Sequence, residues 1–180
     1  MSLFAASLFP GLLLIALGAP LLLDATGAKA AIRAFPRSAS VGYVVFSAAA
    51  AWFLYNILHL SNADFGEYRF YLFAGFAAVA ILAFKCVPDF LGVRGASALV
   101  LLAAEPFLGA AYMRYDHPLR LFMVSLVYVA ISLAIWLGAQ PWRLRDFFNW
   151  LFARTGRSRG LGGLLVAYGI VLCGAAFALR

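Results

Sequence analysis

Six apolar runs of about twenty residues, separated by short polar connectors, leave this chain few folds to choose from. They lie at about 3–23, 39–60, 70–87, 95–113, 119–139 and 160–179. A helix of roughly twenty residues, rising about 1.5 Å per residue, crosses the hydrocarbon core of a bilayer. Inside hydrocarbon each backbone N–H and C=O must find a partner within the protein, which favours α-helix for separate runs of this length. The expected fold is therefore an all-α integral membrane protein. It comprises six transmembrane helices plus one cytoplasmic interfacial amphipathic helix, with residues 1–180 as a single polytopic membrane domain. Composition agrees, because 66% of the chain is hydrophobic and only 12% charged, against about 25% charged in soluble domains.

The interfacial helix is read from Pro141 to Arg154, within the longer basic stretch PWRLRDFFNWLFARTGRSR. Leu144, Phe147, Phe148 and Leu151 recur at helical spacing, while Arg143, Arg145, Asp146, Asn149 and Arg154 occupy the other side. Such a helix lies in the plane of a membrane interface with its cations toward lipid phosphates. Arg143, Arg145, Arg154, Arg157 and Arg159 are the candidate contacts for anionic headgroups or for a cytoplasmic partner. A purely structural role, holding the fifth and sixth spans in register, uses the same residues.

The basic residues also orient the chain. Loops after the first, third and fifth runs hold ten Lys and Arg, and the other loops with Arg180 hold four. Under the positive-inside rule this places both termini outside a bacterial cytoplasmic membrane. Tyr68, Tyr71, Tyr112 and Tyr115 then mark the outer interface and Trp136, Trp142 and Trp150 the inner one. The first run lacks the basic residues that open a signal peptide, so it is read as a retained span. The net charge of +7 is explained by these topology signals, and no extramembrane segment is long enough for a nucleic-acid-binding module.

Glu105, followed by Pro106, is the acidic residue deep within an apolar run. It lies ten positions into its expected span, near the midplane, where an acid is costly and marks a functional hypothesis. Pro106 also leaves the carbonyl of Leu102 without its helical donor. One reading makes Glu105 a proton, cation or solute contact, with Asn56, Pro10, Tyr128 and Tyr168 as candidate neighbours. The other makes it a neutral carboxyl bonded to that carbonyl or to Tyr128 or Tyr168, tying helices together. Pro10-Gly11 and Pro106 with Gly109 occupy comparable places in the first and fourth runs, a faint sign of inverted repeats.

His59 and His117 fall on the same expected side and are nonspecific candidates for a metal, with solvated loop residues as the plainer account. No cofactor is expected. Cys86 and Cys173 lie on different runs near opposite faces, which argues against a disulfide. No G-x-S-x-G elbow, H-E-x-x-H pair, phosphate-binding glycine loop or CxxC motif occurs. The expectation is a small noncatalytic subunit of a membrane complex. Its partners are the bilayer, anionic headgroups and other membrane proteins or further copies of itself, reached through small residues such as Gly162, Gly163, Ala167, Gly169 and Gly174. The alternative is a small carrier for a hydrophobic or weakly polar solute or lipid, with a midplane site near Glu105. An intramembrane enzyme using the outer His and acid residues ranks below both.

Overall fold

A computed structural model describes residues 1–179. Arg180, counted above among the outer cations, lies outside the described residues. Eight α-helices and three short 3-10 turns make up the regular structure of the described residues, with no strand. They are α1 (Leu3–Leu22), α2 (Thr26–Ala34), α3 (Ala39–Leu58), α4 (Arg69–Cys86), α5 (Leu91–Ala111), α6 (Arg120–Ala139), α7 (Trp142–Leu151) and α8 (Thr155–Ala178). Six of them, all except α2 and α7, are long and apolar enough to cross a membrane.

Local chemistry explains several boundaries. Ser2 and Ser38 cap α1 and α3, their hydroxyls accepting from the N–H groups of Ala5 and Val41, which satisfies donors a helix start leaves free. Three boundaries depart from the hydropathy pattern. The connector 24–38, expected as a loop, contains α2. This segment is alanine-rich and so strongly helix-forming, and Asp24 before it pairs with Lys29 inside it. The fourth apolar helix starts at Leu91 rather than Gly95, and the last at Thr155 rather than Gly160. In both cases the hydrogen-bond ladder continues into flanks containing arginine, a good helix former that hydropathy alone discounts.

The chain divides into two compact units. The first comprises Met1–Arg33, Ala103–Leu133 and the residues from Arg145 onward. Its core joins Leu3 and Ala6 of α1, Ala104 and Ala111 of α5, Met123 and Val127 of α6, and Leu172 of α8. α1 and α8 run antiparallel through a seam of glycines. Gly11 faces Gly169 and Gly18 faces Gly162, so close that a Cβ on Gly162 would lie 2.8 Å from the Gly18 carbonyl oxygen. Both pairs repeat at a seven-residue interval, two helical turns, which keeps the glycines on one face. Phe4 and Phe177 close one end of the seam edge to face at 5.8 Å.

The second unit comprises Ala34–Leu102 and Ala134–Leu144. α3 and α4 form a hairpin held by aromatic contacts, Phe53 with Phe76 at 5.1 Å and Phe46 with Phe84 at 5.2 Å. α3 and α5 run in the same direction. Gly42 meets Gly92, and one turn on Gly95 lies against Phe46, where an added Cβ would come within 2.7 Å of the Phe46 Cα. The end of α6 joins them, Gly138 facing Ser97. In the hairpin loop, Gly66 folds back onto the Ser61 carbonyl, leaving 2.6 Å for any Cβ. Glycine is therefore required there by the close approach of backbone.

Candidate functional site

Glu105 lies about two turns, roughly 9 Å, from the C-terminal end of α5. The earlier start of α5 therefore moves it off-centre in its helix. Its side chain is exposed and makes no hydrogen bond or ion pair with any described residue. Gly109 follows it at i+4 on the same face, and Tyr112 lies just beyond the end of α5. Both are exposed, and space beside Gly109 is open. The internal tie that one reading gave Glu105 is absent among the described residues. Tyr168 donates instead to the Phe122 carbonyl at 2.9 Å, joining α8 to α6. Tyr128 is exposed, and its carbonyl accepts from the Ser132 hydroxyl. Pro10 sits beside the Gly11–Gly169 contact in the first unit, whereas Asn56, exposed on α3, belongs to the second.

The basic helix α7 divides the expected contact residues into engaged and free ones. Arg143 donates to Gln140 and covers Trp136, and Arg145 pairs with Asp146 at 2.7 Å. Arg157 donates to the Trp150 carbonyl and lies 4.4 Å from the centre of its ring. The side chains of Arg154 and Arg159 are exposed and bind no described residue. α2, unrecognised as a helix from hydropathy, adds Arg33, which donates to the Phe152 carbonyl at 3.2 Å and covers its ring. The i,i+4 placement of Lys29 and Arg33 in an alanine-rich segment was the signal for that helix.

His59 donates from Nδ1 to the Tyr55 carbonyl at 2.8 Å and lies against the Tyr55 ring, while His117 pairs with Asp116 at 3.1 Å. The two histidines belong to different units. No group of three or more His, Cys, Asp or Glu among the described residues is arranged to hold a metal. Cys86 is exposed and Cys173 half-buried, both as free thiols. An open apolar groove of about 170 Å³ runs between α3, α4 and α5 of the second unit, lined among others by Phe46, Ala49, Phe53, Phe76, Ala80 and Ala98. None of the polar candidates lines it.

No known protein family, curated protein or solved structure matches the chain.

Proposed function

We propose that the chain is a noncatalytic integral membrane subunit that packs against a partner protein through the α5 face bearing Glu105 and Gly109. The observation that carries this reading is the exposure of Glu105 without any partner among the described residues. A carboxyl on the outside of an apolar helix is costly in hydrocarbon and favours a polar group supplied by another chain. Open space at Gly109 lets a second helix approach closely beside it.

The membrane placement itself is supported by an inverted surface. Phe9, Phe70, Ile81, Leu164 and Phe177 are each more than 60% exposed, and α4 has no buried residue although it is apolar between Arg69 and Lys85. Such a surface suits hydrocarbon and aggregates in water. In this reading α7 lies at the cytoplasmic interface, both termini face outward, and the free Arg154 and Arg159 meet anionic headgroups.

Extraction from the native membrane in mild detergent, followed by native mass spectrometry, tests the reading. A stoichiometric partner that is lost in Glu105→Leu, while that variant remains folded, is the expected result. A lone chain carrying a bound solute, with Glu105→Leu unchanged, would overturn it. A carrier for a hydrophobic solute is the second reading, favoured by the apolar groove between α3, α4 and α5. It predicts that bulk introduced at Ala49 or Ala80 blocks binding and leaves the Glu105 variants active.

A further inference from the structure

One edge of α7 leaves an aromatic and cationic stack exposed. At about 100° per residue, Phe148 and Leu151 share one flank of the helix, Phe147 and Trp150 the next, and Asp146 and Asn149 the third. The first flank is taken up by protein, Leu151 being only 2% exposed and Phe148 half-buried. Phe147, which apolar spacing alone assigns to that same face, is instead 41% exposed, and Trp150 beside it 53%. Asp146, the one carboxylate of the helix, is on the third flank and pairs with Arg145.

Trp150 is held by two neighbours. Its ring stacks on Phe147 at 6.0 Å and 28°, and the Arg157 guanidinium lies 4.4 Å from its centre while donating to the Trp150 carbonyl at 3.0 Å. A stacked guanidinium spends its face on the ring and keeps in-plane N–H donors for an oxyanion. Only one nitrogen of Arg157, Nη1, is engaged by a described residue. Arg157 is partly exposed, and Arg154 and Arg159 on either side of it in the chain are exposed.

Connectivity limits what meets this edge. Residues 140–141 join α7 to the end of α6 and residues 152–154 join it to the start of α8, both helices long and apolar enough to span. In the membrane reading α7 is therefore confined to the surface where those spans end. Aromatic rings beside arginines at that depth match the boundary between acyl chains and headgroups, where anionic phosphates attract clustered cations. The polar third flank, and not this edge, suits water.

We propose that the Phe147–Trp150 edge of α7 is a contact site for anionic phospholipid of the adjoining leaflet, its rings among the upper acyl carbons and Arg157 donating to the phosphate. The site rests on the membrane reading above and is independent of Glu105.

Tryptophan quenching in the full chain, reconstituted into phosphatidylcholine vesicles, tests it. Trp150 is made the single tryptophan by Trp52→Phe, Trp136→Phe and Trp142→Phe, and the reference is Asn149→Trp in a chain that also carries Trp150→Phe. Phosphatidylcholine brominated near the top of its chains should quench Trp150 about threefold more than position 149, and aqueous iodide should reverse the order. Equal quenching at both positions overturns the edge, and a Trp150 shielded from both quenchers overturns lipid as its occupant. Carrying the bromine on phosphatidylglycerol should strengthen quenching of Trp150 about twofold further, an increment lost in Arg157→Gln. An increment absent with Arg157 in place, or kept in Arg157→Gln, overturns the phosphate contact. If the single-tryptophan chain does not fold, Trp150→Phe alone decides. It should remove lipid-quenchable emission, and removal of iodide-quenchable emission overturns the edge. Trp52, exposed within α3, separates the premises when it is the single tryptophan. If brominated lipid leaves it unquenched, the membrane reading falls, whereas a quenched Trp52 with a water-exposed Trp150 removes only the α7 site.

Discussion

Gly169 meets Gly11 backbone to backbone, so that a Cβ added to Gly169 would lie 2.7 Å from the Gly11 carbonyl oxygen and equally close to Ile15. Neither obstacle is a flexible side-chain end that swings away freely, since one is main chain and the other the γ1 methylene of isoleucine, next to its branched carbon. Gly169→Ala is expected to destabilise the first unit by about 1–3 kcal/mol, the usual cost of overpacking. Gly174→Ala, which has open space around it, is the control and should be neutral or gain up to about 1 kcal/mol from helix propensity. Paired thermal unfolding curves in detergent check the difference. Equal effects of the two substitutions would show that the α1–α8 seam is looser than this contact.

Tyr168→Phe removes the hydroxyl that donates to the Phe122 carbonyl. The expected loss is about 1 kcal/mol, seen as a Tm about 2–4 °C lower. An unchanged Tm would mean that the α8–α6 tie adds nothing beyond packing.

Ser7 is fully buried and its hydroxyl has no hydrogen-bond partner. Ser7→Ala removes an unsatisfied polar atom while keeping the small volume that the helix packing accepts. Stability should hold or rise by about 1 kcal/mol. A clear loss in the same unfolding assay would reveal a partner for the hydroxyl.

Arg33 ties α2 to the residue just beyond α7 through the Phe152 carbonyl and ring. Arg33→Ala should free α2 and raise its proteolysis several-fold in detergent. Arg159→Ala, a free and exposed arginine, should leave the cleavage rate unchanged. The comparison is read from trypsin-independent cleavage, using a protease that does not require basic residues.

The Glu105 carboxyl makes no bond within the described chain, so Glu105→Leu should leave the Tm of the isolated protein unchanged or slightly raised. A fall of several degrees would place an internal partner on the carboxyl and remove the outward-facing role proposed for it.

The six long helices were legible in the sequence because a run of about twenty apolar residues satisfies its own backbone locally, whatever it later packs against. A short helix, α7, stands where apolar residues recur at helical spacing. α2 was less legible, being short and rich in alanine, whose small side chain leaves a faint apolar stripe. The uses of individual residues were decided by packing. Gly162 and Gly169 are sealed against α1, whereas Gly163 lies only near a leucine methyl and Gly174 faces open space, though all four look alike as small residues of the last apolar run. Tyr168 bonds to Phe122 rather than to Glu105, and Arg94 leaves the expected connector to enter the first turn of α5 with a buried, unused donor. Helix formation depends on neighbours a few positions away, so the sequence determined where the chain coils. Which face of each helix is covered depends on the shape of another helix many residues distant, and only the tertiary structure decided that.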